Sequence, residues 1–284
     1  MDALQRRLGA LCALPAALLL FLCFVAPLLV VAAFSTMPQG VFSLFHLPDF
    51  SAYGTLVSRG YWRSLLWSLS MALAATVVLF VVCWPLAFAM AKIFKRFTLV
   101  LTIGVVLTLF VSENIRLFGW VLTLMKGGLI DGYLGHWFGG GLEGALYNVP
   151  VIVFGLVYVY FPFMLFPLAQ GIAMVPDDAR QAALDLGASR WQILTEIDLP
   201  LSAPGIVVGS LFSFVLATGA LAEAKLLGGS QVIVMAAEVE TAFTYGQDWP
   251  LGSALSMTLI AIVAVLAIVT INRIDLDTIM GRRG

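Results

Sequence analysis

Charge is what this chain has least of. Only 11% of its 284 residues are charged, against 61% hydrophobic, and mean hydropathy is +1.02. A soluble globular domain carries about a quarter charged residues and a disordered chain has far fewer apolar ones, so both classes are excluded. The net charge of −1 offers nothing to a nucleic-acid backbone. His46 and His136 are the only histidines, too few for the paired histidines of a zinc protease. Cys12, Cys23 and Cys83 each lie inside an apolar run, which reads as three small buried hydrophobes rather than a disulfide framework or a metal cluster. Lys92, Lys95, Lys126 and Lys225 follow Ala, Phe, Met and Ala. No lysine follows a glycine, so the chain lacks a glycine-rich phosphate loop. Paired aspartates of an intramembrane protease are missing as well. An enzyme is therefore not expected, nor a cofactor bound by this chain.

What the sequence has in abundance is long apolar runs. Its length holds about six spans of ~20 residues with connectors. The spans are read at 8–34, 63–91, 97–119, 148–171, 202–222 and 250–271. The first is too long for a cleaved signal peptide. Pro85 is expected to kink the second. Gly205 and Gly209 in the fifth form a small-xxx-small pair that lets another helix approach closely. Residues 120–147 contain Trp120, Trp137 and the glycines at 139–141, and read as an external segment with a short interfacial helix. Basic residues set the orientation. Arg6, Arg7, Lys92, Lys95, Arg96, Arg180, Arg190, Arg273, Arg282 and Arg283 fall on one side; Arg59, Arg63, Arg116, Lys126 and Lys225 fall on the other. The richer side is cytoplasmic by the positive-inside rule, which puts both termini there. The fold class is thus an all-α integral membrane protein of six transmembrane helices, a single domain over residues 1–284.

The most informative stretch is hydrophilic. Residues 176–200 (PDDARQAALDLGASRWQILTEIDLP) lie between the fourth and fifth spans. Pro176 suits the first turn of a helix, and Asp177 and Asp178 face the positive end of its dipole. Ala179, Ala182, Ala183 and Leu186 form one narrow apolar stripe. Gly187 ends that helix in a left-handed conformation. Ser189 and Gln192 spell a capping box for a second helix, and Pro200 is expected to stop it. Gln181-Ala182-Ala183, Gly187, Ile197 and Leu199-Pro200 resemble, at matching spacing, the EAA loop of the permease subunits of bacterial ABC importers. That family usually has Glu where Gln181 stands.

Two further stretches extend the resemblance. Leu226-Leu227-Gly228-Gly229 is similar to the LLGG turn of polyamine-type permeases. Ser112, Arg116 and Trp120, followed by Gly128-Leu129, resemble the end of the third span in the spermidine/putrescine type, although Glu113-Asn114 departs from the more apolar residues usual there. The resemblance implies a type I importer permease, with loop 176–200 as a coupling loop. It implies an ATP-binding subunit dimer carrying ATP and Mg, a second permease subunit, an external solute-binding protein and a bacterial inner-membrane location amid lipid. Solutes of related permeases include polyamines, opines, other small cations and iron. A secondary transporter is the rival, but no internal repeat is visible.

Ionisable groups at membrane depth are candidates for the solute pathway. Glu113 and Arg116 lie at the outer end of the third span and Glu223 at that of the fifth. Glu113 and Arg116, three residues apart, could also simply pair with each other. Tyr158, Tyr160, Phe161 and Phe163 add aromatic faces that attract organic cations, or pack between helices. The candidate pathway set is Glu113, Arg116, Trp120, Tyr160 and Glu223. Acids assigned outside are Asp49, Glu113, Asp131, Glu143, Glu223, Glu238, Glu240 and Asp248, an excess over the outside bases that suits a cation.

Overall fold

The computed structural model describes residues 14–38, 48–94, 96, 98–138, 146–229 and 231–273. The readings placed on Arg6, Arg7, Cys12, His46, Lys95, the glycines at 139–141, Glu143, Arg282 and Arg283 fall outside the described residues, and the side chains of 134–138 and 273 are likewise not described. All regular structure among the described residues is helical. In lipid this follows from the backbone, since a helix satisfies its own N–H and C=O groups.

In chain order the helices begin with α1 (Leu14–Phe34), α2 (Ser51–Ser58), α3 (Trp62–Ile93) and α4 (Thr98–Leu109). Then come α5 (Glu113–Leu124), α6 (Leu129–Phe138), α7 (Val149–Met174), α8 (Asp177–Asp185) and α9 (Arg190–Leu201). The chain closes with α10 (Ala203–Thr218), α11 (Ala222–Leu226), α12 (Met235–Thr244) and α13 (Trp249–Arg273). By length and composition, α1, α3, α7 and α13 can each cross a membrane unbroken. Two bent pairs raise the number of spans to as many as six: α4 with Glu113–Tyr133, bent by 91°, and α9 with α10, bent by 69°.

The bend between α4 and α5 corrects the reading of an unbroken third span, whereas the bend between α9 and α10 falls where the fifth span was read to begin. Twelve residues of α4 cover about 18 Å at 1.5 Å per residue, short of the ~30 Å hydrocarbon core. The break comes at Ser112, which is extended (φ −52°, ψ 135°) and sits at the N-cap of α5, with Glu113 in the first turn. The polar stretch Ser112–Arg116 resets the helix there, with Glu113 facing the positive end of the new dipole. Pro85 and, in α7, Pro162 and Pro167 leave their helices continuous. Past Pro85, α3 ends in a stretch of wide π turns over Ala89–Ile93.

The chain divides into two compact units, one formed by Met1–Arg63 with Met235–Ala261, the other by Ser64–Val234 with Ile262–Gly284. In the first, Trp249 packs on Phe34 and Phe243 with ring centroids 6.2 and 5.5 Å apart. The Tyr53 hydroxyl donates to Ser35 Oγ at 3.0 Å, and Asp248 accepts from the Leu251 N–H at the start of α13. Cys83 is buried as expected, whereas Cys23 is exposed. It lies on α1, which is apolar all round and exposes its side chains freely where lipid is the solvent.

The second unit is built on α7. Ile152, Leu156, Met164, Leu165, Leu168 and Ile172 are all fully buried. Its partner is α10, and glycine sets their separation. A Cβ on Gly171 would stand 2.8 Å from the Gly205 Cα, and one on Gly209 would stand 3.1 Å from the Met164 carbonyl oxygen. The close approach expected at Gly205 and Gly209 is thus made, and α7 is the helix that approaches. After α10 the turn at Leu226–Gly229 returns to α7. Gly229 takes φ +58°, a Cβ on Gly228 would meet the Ile152 side chain, and the Leu227 carbonyl accepts from the Tyr147 N–H at 2.8 Å.

Candidate functional site

Two constellations lie in the second unit. The first is the corner between α8 and α9. Pro176 serves as N-cap (φ −64°, ψ 131°) rather than as the first helical residue, with Asp177 and Asp178 behind it in the first turn. Gly187 has φ +84°. Its N–H donates to the Leu184 carbonyl at 2.9 Å and the Ala188 N–H to Ala183 at 3.0 Å, the reciprocal pair of a Schellman motif. Ser189 and Gln192 complete the capping box, Ser189 N–H to Gln192 Oε1 at 2.8 Å and Gln192 N–H to Ser189 Oγ at 3.3 Å.

Pro200 does not stop α9, contrary to the expectation. Ile193–Asp198 form wide π turns, which accommodate a residue that has no N–H to donate. The chain breaks instead at Ser202 (φ −88°, ψ 2°), whose hydroxyl donates back to the Asp198 carbonyl at 2.5 Å.

The fastenings of this corner come from far away in sequence. Lys92 Nζ, at the end of α3, donates to the Val175 carbonyl at 2.6 Å and to Asp177 Oδ1 at 2.7 Å. Arg180 stacks over the Phe88 ring at 4.8 Å and pairs with the buried Asp198 at 3.1 Å. The contact is ionic, because the Arg180 Nε–H is not aimed at the oxygen. Ile193 is buried beneath. Leu186 is 89% exposed, Trp191 70% and Leu184 54%, among the exposed polar residues Gln181, Asp185 and Arg190. Gln181, Ala182, Gly187 and Pro200 are exposed, and Ala183, Ile197 and Leu199 half-buried.

The second constellation gathers Glu113, Arg116, Trp120, Tyr160 and Glu223, residues spread over more than a hundred positions, around α5, α7 and α11. Glu223 is 0% exposed and its Cβ packs against Gly155 of α7. Neither carboxylate oxygen completes a hydrogen bond, although the Tyr160 hydroxyl and the charge of Glu113 both lie close enough to act on it. Burial pushes the Glu223 carboxyl up to about 7; Glu113 adds to the shift, and Tyr160 and Arg116 oppose it. Such an environment is costly for a charge that stays unpaired.

Glu113 and Arg116 do not pair with each other; tertiary surroundings override the local spacing. The Arg116 guanidinium lies over the Tyr158 ring at 5.6 Å, with its Nε buried and without a hydrogen-bond partner. Trp120 meets Phe154 and Tyr158 edge-on, at 4.6 and 5.6 Å. Arg116, Trp120, Phe154, Tyr158, Phe161 and Pro162 border a cleft of about 360 Å³. Within this set Tyr158 had only aromaticity to recommend it, and Gly155, the floor under Glu223, carried no signal of its own.

Comparison with known proteins follows the same lines. The family described as the inner membrane component of binding-protein-dependent transport systems matches residues 6–274. The spermidine/putrescine transport system permease protein PotB of Haemophilus influenzae is 31% identical over 252 residues, covering 86% of each chain. PotB of Escherichia coli is also 31% identical, over 76% of this chain and 79% of its own. The trehalose transport system permease protein SugA of Mycobacterium tuberculosis is 28% identical over 76% of this chain and 71% of its own. Among solved structures, a bacterial ABC transporter that imports the acidic polysaccharide alginate superposes with a TM-score of 0.76 at 17% identity, over 96% of both chains. A bacterial alginate ABC transporter solved in complex with an alginate pentasaccharide-bound periplasmic protein also superposes with a TM-score of 0.76, at 18% identity, over 95% of this chain and 94% of its own. Family and fold agree with the helical architecture and with the absence of catalytic groups expected from the sequence: this chain belongs to the inner membrane components of binding-protein-dependent transport systems, the permease subunits of ABC importers.

Proposed function

We propose that this permease moves an organic polycation of the putrescine/spermidine type inward by alternating access. The observation that carries the reading is Glu223, fully buried with neither carboxylate oxygen completing a hydrogen bond, beside Tyr160 and Glu113. A buried carboxylate so weakly served is a place for an ammonium group to complete. The PotB relatives point to the same class of solute. The pathway set is Glu113, Arg116, Trp120, Tyr160 and Glu223.

The rest of the assembly follows from the corner. In this reading α10 is the fifth of six spans, and both termini and loop 176–200 are cytoplasmic, as the distribution of basic residues suggests. The exposed Leu184, Leu186 and Trp191 dock on an ATP-binding subunit, two of which bind ATP and Mg. A second permease subunit completes the pathway and an external solute-binding protein delivers the solute. Lys92 and Arg180 connect the docked corner to α3, so movement of the loop is carried into the membrane. Uptake of radiolabelled spermidine, putrescine and trehalose by cells with and without this chain tests the reading. Loss of spermidine or putrescine uptake alone supports it, and loss of trehalose uptake alone overturns the polycation assignment.

A further inference from the structure

The cluster around Glu223 holds a mismatch. Glu223 offers two buried acceptors that complete no hydrogen bond, with the Tyr160 hydroxyl close by, while Arg116 offers a buried donor, its Nε–H, with no acceptor. Both groups belong to one neighbourhood: α11 packs against α5 and α7, and the Arg116 charge acts on Glu223. Yet no ion pair joins them. The guanidinium instead rests on the Tyr158 ring at 5.6 Å, at the edge of the cleft. A buried donor and buried acceptors left unmatched in one neighbourhood give a long side chain a second place to go.

Resting on the polycation reading above, we infer that Arg116 is a tethered cation that competes with the solute for Glu223. Parked on Tyr158, it leaves the Glu223 carboxylate open to an ammonium group. Turned back, it occupies that carboxylate itself and displaces the solute from the site. The aromatic perch makes the first position tenable, because the tyrosine face compensates part of the charge when the carboxylate is given to the solute. Glu113, on the same helix, supplies a second carboxylate near Glu223 for the spacing of a polyamine. A site of this kind binds weakly and releases readily, as a permeation pathway needs, while its aromatic and acidic walls still select cations.

The test uses the assembled importer in lipid nanodiscs without the external binding protein, titrated with spermidine. Removing one positive charge from a poorly hydrated site strengthens cation binding, here by roughly tenfold or more in Arg116→Met. Arg116→Lys keeps the competing charge but not the planar stack on Tyr158, and so shows none of the gain of Arg116→Met. Tyr158→Leu removes the perch, sends Arg116 onto Glu223 and weakens binding in the wild-type background, but has little effect when combined with Arg116→Met. If Arg116→Met assembles poorly, Tyr158→Leu in the wild-type background still reads the perch, and spermidine binding that it leaves unchanged overturns the tethered competitor. Spermidine binding that Arg116→Met leaves unchanged or weakens, or a Tyr158→Leu loss equal in both backgrounds, overturns the tethered competitor alone. No spermidine binding by any of these forms overturns the polycation reading along with it.

Discussion

Gly187 is the position where the corner is most sharply testable. It has φ +84°, and a Cβ built there meets nothing within 4 Å. Crowding therefore plays no part, and the whole penalty of a side chain is conformational. An L-residue in the left-handed region costs about 1–2 kcal/mol, with asparagine at the low end and β-branched residues at the high end. Opposing that cost are the two hydrogen bonds of the turn, at 2.9 and 3.0 Å, each contributing a net ~1 kcal/mol. The two sides are of similar size, so Gly187→Val shifts a large fraction of molecules to a turn that aims α9 elsewhere. Gly187→Asn leaves the corner in place, and Gly187→Ala falls between. The assay is retention of the ATP-binding subunit on affinity-tagged permease, read beside membrane insertion and solute uptake. The expected order for retention and uptake is Asn, then Ala, then Val, with insertion equal in all three. Full retention and normal uptake in Gly187→Val would refute the argument, since the corner would then be a passive connector.

Further consequences are read in the same system. Arg180→Met strips the buried Asp198 of its partner and lowers stability by about 1–3 kcal/mol, less than for a fully buried pair because the Arg180 side chain is 25% exposed; a thermal melt of the purified complex shows the loss, and Arg180→Met with Asp198→Asn recovers part of it. Gly171→Ala drives a Cβ to 2.8 Å from the Gly205 Cα and costs about 1–3 kcal/mol by overpacking, whereas Gly104→Ala, with nothing within 4 Å, leaves the melt unchanged. In a cysteine-free background, a membrane-impermeant thiol reagent labels a cysteine at Gln247 in intact cells and spares one at Ser189; labelling of Ser189 from outside contradicts the orientation.

Local signals explain what could be read before any coordinates. The Schellman turn at Gly187 and the capping box at Ser189 and Gln192 are each closed by residues within five positions, so their sequence pattern carries their geometry. The glycines facing α7 were legible for the same reason, since helical periodicity places them. Pro200 was misread because a proline signal assumes ordinary helical turns, and π turns over Ile193–Asp198 relieve the missing donor. The break at Ser112 was missed because a span of ordinary length was read straight through the polar stretch Ser112–Arg116. The fastenings by Lys92 and Arg180, and the meeting of Glu223 with Tyr160 and Arg116, join residues distant in the chain. Each of those residue types was visible, but the juxtaposition is tertiary. That is also why Glu113 and Arg116, correctly spaced for a helical pair, part company once Tyr158 offers its ring.

The central claim is that Glu223 meets the solute's positive charge. Glu223→Gln keeps the shape of the side chain and removes that charge. Radiolabelled spermidine uptake, measured in cells where the variant still retains its ATP-binding subunit, tests this most directly. Uptake is expected to fall by at least about tenfold, on the scale of one lost charge-assisted hydrogen bond at a buried site, while Glu238→Gln on α12 keeps uptake near the wild type. Wild-type uptake by an assembled Glu223→Gln importer would contradict the account.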